Sequence, residues 1–419
     1  MQDIVTLYFH PLGNGYLMTK QRIASRILNI KPSPSSSAAD KANELRRQGL
    51  DIISLVVGEP DFDTPAHISQ AAWEAIQRGE TRYTANSGSL ELRAAITRKL
   101  HHENNLAYTT DNILVTSGAK AAIFTAFSAT IEKGDEVIIP APYWVSYPDM
   151  VIACDGTPVI VQCPESDAFK LTAETLRASI SNKTRWLIIN SPSNPTGASY
   201  TFDEYKAIAS VLADYPDILI LTDDIYEHIR FDNAENVHFL NAAPELKNRT
   251  LIINGVSKTY AMTGWRIGFA AGPFYLIDAC QKLQSQASGN ACSISQAAAI
   301  EAYEGDQEFI QVNKSIYEDR RNKTLQLINE IPGLTCKPPT GAFYLYVNCQ
   351  GLIGKISPEG QTLQDDASIV IYLLEAANVA LVPGSAYGLS PYFRMSIATD
   401  QDTLNEGCKR IADAISQLQ

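Results

Sequence analysis

Short apolar runs alternate with helical patterns through the middle of the chain, and this alternation constrains the fold more than any other feature. The runs are "NILVTS" (112–117), "DEVIIP" (135–140), "TPVIVQ" (157–162), "TRWLIIN" (184–190), "DILILTD" (217–223) and "TLIING" (250–255). Each is short enough for a strand and apolar enough to be buried on both faces. Stretches such as "LELRAAITRKLHHEN" and "AKAAIFTAFSATI" separate them, with apolar residues at helical spacing. Strand and helix in alternation imply a mostly parallel sheet covered by helices on both faces, an α/β fold. In such a sheet ligands gather at the carboxyl ends of the strands. The pattern changes near residue 310, where a long polar helix leads to "GAFYLYVN", "SIVIYLLEAANVALVPG", "YFRMSIA" and a final amphipathic helix. The expected organisation is a large domain over 58–310 and a smaller α+β domain from 18–57 and 311–419. Residues 18–57 read as a helix, the Pro/Ser-rich "KPSPSSS", a polar helix "ADKANELRRQG" and a strand "DIISLVV".

At 419 residues and 45% hydrophobic content, the chain can build a large core. Its net charge of -12 argues against a nucleic-acid or anionic-membrane partner. An acidic substrate stays open, because a local cationic site can hold one. No apolar run reaches the ~18 residues of a membrane span. Seven scattered cysteines without a CxxC read as reduced thiols of a cytoplasmic protein. The histidines show no metal-ligand spacing, and adjacent His101 and His102 cannot point the same way from a helix, so no metal is expected. Residues 1–17 lack the basic start of a signal peptide and read as a disordered extension or an upstream start before Met18.

Unusual residues sit where the strands end. In "TSGAK" (116–120), Gly118 and Ala119 open a helix whose free N–H groups suit a phosphate; the plain alternative is a steric βα turn. "NSPSNPTG" (190–197) carries Asn194 in a turn. In "TDDIYEH" (222–228), Asp223 closes an apolar run and Tyr226 follows three residues later. A carboxylate there needs a cationic partner or strong donors, unless it caps a helix. In "NGVSKTYAMTGWRIGFAAGP" (254–273), Lys258 stands alone among small and hydroxyl residues, with Arg266 beyond it and a strand expected over 267–271. Partial desolvation lowers an amine pKa and makes it reactive; a lysine snorkelling from a turn is the plain alternative.

An amine, an acidic strand end, a phosphate cradle, a tyrosine, an asparagine and an arginine together suit pyridoxal phosphate. Its aldehyde forms a Schiff base with a lysine, its pyridine nitrogen wants a carboxylate, and its phosphate wants amides and an arginine.

The motifs "GEPDFDTP", "APYWVSYP", "NSPSNPTG", "DDIYEH", "SKTYAMTGWRIGF", "GAFYLY" and "YFRMS" occur in order from residue 58 to residue 396. In them the chain resembles the class I aminotransferases of fold type I, in the bacterial aspartate and aspartate/prephenate branch. The resemblance runs from Met18 to the C-terminus. It implies that Lys258 bonds the cofactor and shuttles a proton, and that Asp223 pairs with the pyridine nitrogen. Tyr226 and Asn194 correspond to donors to the phenolic oxygen, and Trp144 to the aromatic on the ring. Gly118, Ala119, Ser257 and Arg266 correspond to the phosphate cradle, completed by Tyr83 from across a homodimer interface. Arg394 corresponds to the fork on the substrate α-carboxylate, with Gly58, Trp144 and Asn194 beside it. Lys120 corresponds to a contact for a distal carboxylate, and Lys31 to a position tied to prephenate. Relatives often carry serine where this chain has Gly255, which puts the Ser257 contact in question. The implied reaction is ping-pong transfer between L-aspartate and 2-oxoglutarate, with amino acids and 2-oxo acids as partners and prephenate as a further acceptor. Aromatic or alanine specificity, a lyase of the same fold and a non-catalytic ligand-binding relative are the alternatives.

Overall fold

The computed structural model describes residues 23–419. The extension expected over 1–17 lies outside the described residues, as does the start of the segment that follows it. Strand β1 is Ile53–Ser54. The central sheet comprises β2 (Ile113–Thr116), β3 (Glu136–Ala141), β4 (Thr157–Gln162), β5 (Thr184–Asn190), β6 (Leu219–Asp223), β7 (Thr250–Gly255) and β8 (Gly268–Ala271). Its order is β2-β8-β7-β6-β5-β3-β4. The run from β7 through β4 is parallel, while β8 is antiparallel to both β7 and β2.

The apolar runs form strands because both faces are covered. Successive residues of β5 enter opposite layers: Trp186 and Ile188 pack with Phe127 and Leu221, whereas Leu187 and Ile189 pack with Ile220 and Ile252. All four β5 side chains are buried. Burying each is worth about 1.5–3 kcal/mol, so the period-two pattern fixes the register as well as the strand. The helix Ala119–Thr130 turns Ala122, Ile123, Ala126 and Phe127 into the same layer as Trp186.

A second sheet has the order β11-β12-β9, all antiparallel, from β9 (Tyr344–Asn348), β11 (Val382–Pro383) and β12 (Tyr392–Ser396). Arg394 stands at its centre, opposite Tyr346 on one side and Val382 on the other. Strand β1 pairs in parallel with β10 (Val379–Ala380) as a separate two-stranded sheet, and the Ser396 N–H at the end of β12 donates to the Leu55 carbonyl, which ties the N-terminal segment to the small sheet. The fold is therefore a mostly parallel sheet between helices with a smaller sheet beside it.

Three expectations need correction. The N-terminal helix runs Pro34–Arg47 and so begins inside the Pro/Ser-rich segment. Pro34 is its first residue, where a missing N–H costs no hydrogen bond. The strand expected over "DIISLVV" shrinks to Ile53–Ser54, because only that dipeptide finds a ladder partner. The polar helix spans Glu308–Asn329 and crosses the boundary expected at 310. No helix among the described residues is long and apolar enough to cross a membrane.

Candidate active site

The parallel register puts three strand ends side by side. Asn190 ends β5 opposite Asp223, and Asp223 pairs with Ile253, two residues before β7 ends. The loops that follow carry Asn194, Tyr226 and Lys258, so their meeting is a consequence of register. The antiparallel pairing of β8 with β2 brings Gly268 against the Gly118–Ala119 backbone. A Cβ at Gly118 would collide with the Arg266 guanidinium, and its φ of +87° is one that glycine adopts freely. The small sheet faces this edge and inserts Arg394.

These groups enclose a cleft of about 370 Å³. Lys258 Nζ donates to the Gly58 carbonyl at 2.5 Å. Burial lowers its pKa to about 8, helped by the Arg394 and Arg266 cations, while Glu59 and Asp223 oppose the shift. Asp223 is 4% exposed, and one carboxylate oxygen accepts from the Tyr147 phenol at 2.6 Å. The other, Oδ1, is buried without a partner. Burial lifts this carboxyl to about 6, with Asp224 adding to the rise and the Tyr147 hydrogen bond opposing it.

Arg394 is buried and fully oriented. Its guanidinium lies 4.4 Å from the Tyr344 ring centroid and 5.2 Å from that of Tyr387. Nη1 donates to Asn194 Oδ1 at 3.0 Å, and Nη2 donates to the Val56 carbonyl. Nε has no partner. The Asn194 backbone is fixed in turn by Asn190 Oδ1 at 2.9 Å. Tyr226 shares a 2.7 Å hydrogen bond with Tyr344. Lys120 Nζ stands 4.9 Å from the Trp144 ring centroid, and burial lowers its pKa. Gly58, Ala119 and Ser257 complete the wall. Gly255 has a local cause: a Cβ there would meet Gly268 Cα and the Ile267 carbonyl at 2.8 Å each, so β8 leaves no room for serine.

The cleft also holds residues the sequence reading passed over. Tyr147 and Tyr344 have rings that read as core, and their phenols gain meaning only from the groups they touch. Ser33, Ser35 and Ser36 line the cleft from the start of the N-terminal helix, in a segment the sequence marks only as Pro/Ser-rich. Two expected residues stay out of the cleft. Tyr83 is 97% exposed and borders a separate depression with Arg82 and Gln296. Lys31 is exposed; its backbone N–H donates to Asp149, and its side chain does not line the cleft. Among the described residues, Glu103, Glu227 and His228 form the only cluster with metal-ligand geometry, and the Lys99 ammonium already lies against both carboxylates.

Residues 51–411 match the family model for aminotransferase class I and II. The chain belongs to the class I and II aminotransferases. It is 50% identical to the probable aspartate/prephenate aminotransferase of Rhizobium leguminosarum bv. phaseoli, over 93% of this chain and 97% of that one. The crystal structure of the aspartate aminotransferase from Rhizobium meliloti superposes with a TM-score of 0.93 at 49% identity, covering 95% of this chain and 99% of that one. The Thermus thermophilus aspartate aminotransferase with maleate gives a TM-score of 0.87 at 36% identity, over 94% and 99%. In this aminotransferase Lys258, Asp223 and Arg394 line one cleft.

The buried acid has a thermodynamic signature. Asp223 has its pKa raised from 3.8 to about 6 in the fold, so the folded protein binds the extra proton between those values. Its contribution to stability is full below pH 3.8 and is lost as pH rises through 6. A shift of about 2 units is worth ~3 kcal/mol. Urea unfolding of the cofactor-free protein should show Asp223→Asn gaining on the wild type by up to that amount between pH 4 and pH 7. A pH-independent difference would contradict the buried, unpaired state of Oδ1.

Proposed function

We propose that this protein is a pyridoxal-phosphate-dependent aspartate aminotransferase, which transfers the amino group of L-aspartate to 2-oxoglutarate by a ping-pong mechanism. One observation carries the reading: Lys258, Asp223 and Arg394 all line the same cleft, and one Asp223 carboxylate oxygen is buried there without a partner. The residues fit the cofactor. The orphaned Asp223 Oδ1 suits a protonated pyridine nitrogen, since an ionised carboxylate buried without a donor is otherwise costly. The helix start at Ala119, with Arg266 and Ser257 beside it, suits a phosphate. Trp144 suits the flat ring, and Tyr226 with Asn194 suits its phenolic oxygen. When bound, pyridoxal phosphate supplies the electron sink that makes the substrate Cα–H acidic.

The chain's own residues do the rest. Lys258 Nζ takes the Cα proton and returns it, and its lowered pKa leaves a useful fraction uncharged near pH 8. Arg394 grips the α-carboxylate and, with Trp144, fixes which substrate bond faces the base. Lys120 meets a distal carboxylate from its place in the cleft wall, and the names of the Rhizobium relatives support a dicarboxylic substrate. Prephenate carries two carboxylates and would meet the same cations; Lys31 is its candidate contact from outside the cleft wall. The exposed Tyr83 supports a homodimer in which a second copy completes the phosphate site, and the seven free cysteines support a cytoplasmic enzyme. Residues 58–310 serve as the cofactor domain, and 18–57 with 311–419 as the smaller one, a division supported by the β1–β10 pairing.

The test is a half-reaction. Holoprotein is mixed with one amino acid and no acceptor, and the visible band of the bound cofactor is followed. Aspartate and glutamate should bleach it fastest, and fast bleaching by arogenate would add the prephenate role. Tyrosine or alanine in first place would keep the chemistry and overturn the substrate. The absence of a band would overturn the cofactor.

A further inference from the structure

Behind the cleft lies a buried polar cluster that no step above uses. It joins the helix Leu90–Asn104, the turn after β6 and the loop that carries Lys258. The Lys99 side chain is 1% exposed and contacts Glu227, itself 5% exposed. Glu227 also accepts from Asn104 Nδ2 at 2.8 Å and from Asn254 Nδ2 at 2.5 Å. Lys99 Nζ lies 3.3 Å from Glu103. His228 bridges Glu103 through Nε2 at 2.8 Å and the Thr259 hydroxyl through Nδ1 at 3.1 Å.

The cluster is charged. Burial alone would neutralise Glu227, but the Lys99 ammonium and the Asn104 amide hold it at about 2. Glu103 stays below its ordinary value for the same reason, with burial opposed by His228 and Lys99. A pure core function would be met more cheaply by apolar side chains, since buried ion pairs add little net stability over a packed hydrophobic replacement. The cluster's position gives it another use. Consecutive residues of one turn, Glu227 and His228, grip the end of β7 at Asn254 and the Lys258 loop at Thr259, on either side of the amine. An ionised Glu103 can only accept, so the ring proton sits on Nε2, and a neutral ring's Nδ1 accepts from the Thr259 hydroxyl.

We propose that His228 and Thr259 are positioning residues for the Lys258 amine: Glu103 orients the imidazole, the imidazole fixes the Thr259 hydroxyl, and Thr259 holds the loop so that Lys258 points into the cleft beside Gly58. The proposal rests on the reading of Lys258 as the reactive amine. Tyr226 immediately precedes Glu227, so the same cluster locks the turn bearing Tyr226 to the loop bearing Lys258.

Thr259→Val keeps the shape and removes only the hydroxyl, and Thr259→Ser restores it. The holoenzyme is used throughout. Thr259→Val should lower kcat about tenfold with KM for the amino acid unchanged, because Arg394 is untouched. It should also move the pH midpoint of the visible cofactor band by about half a unit or more, since the amine sits in a different field. Thr259→Ser should recover both. His228→Leu cuts the same link from the other end and serves if Thr259→Val does not fold. A folded variant with wild-type kcat and midpoint overturns the positioning role. Borohydride reduction separates the two readings: if it fails to fix the cofactor on the Lys258 peptide of the wild type, Lys258 is not the reactive amine. If it succeeds and the severed variants match the wild type, only the positioning role falls.

Discussion

Lys258→Ala is expected to cut turnover by about ten-thousandfold or more while pyridoxal phosphate still binds. The amine shares its cleft with Asp223 and Arg394, and burial brings its pKa down to about 8. Lys120 shares the cleft but stands over Trp144, away from the Gly58 carbonyl that receives Lys258. The check has two parts. Steady-state transamination measures the loss, and mass spectrometry after borohydride reduction should find cofactor attached to the wild type and absent from the variant. Turnover that persists in Lys258→Ala would overturn the assignment of the base.

Arg394→Lys is the second large effect, and it should not behave as a conservative change. The guanidinium is 2% exposed, stacked on Tyr344 and tethered to Asn194 and Val56. These contacts fix the plane of the guanidinium where Arg394 lines the cleft. A lysine keeps the charge but loses the fork and the stacking. Losing such a buried, oriented contact costs about 2–5 kcal/mol, or roughly 30- to 5,000-fold in kcat/KM. The loss should fall on every amino acid tested, because all carry an α-carboxylate. A penalty confined to aspartate and glutamate would instead place the distal carboxylate at Arg394.

Much of this was readable before any coordinates. Strands β2, β5, β6 and β7 announced themselves because both faces are buried, and the chemistry sat at the carboxyl ends of the parallel ones because register puts it there. What stayed hidden followed from distance in sequence. Nothing near Asp223 says that a tyrosine 76 residues earlier donates to it. Nothing in "KPSPSSS" says that its serines reach a cleft built by residues 58 to 394, because that contact is made only when β1 finds β10. The Pro/Ser segment stood outside the expected helices for a local reason, since proline and serine disfavour helix interiors. The same residues are well suited to a helix start, and that is where they lie. Gly255 read as a departure from relatives, and its cause is the tight approach of β8, which no local pattern reveals.

The pairing of β1 with β10 also sets an order of birth. During synthesis the central sheet, with Asp223 and Lys258, leaves the ribosome while β9, β10 and β12 are still unmade. The segment before residue 58 has no ladder partner until Val379 appears, and closing so long a loop carries an entropic cost that only the finished sheet offsets. A half-made chain therefore owns the amine and the acid but lacks Arg394 and a completed wall. Under the proposed function, the groups assigned to the cofactor are therefore made before Arg394, the group assigned to the substrate α-carboxylate.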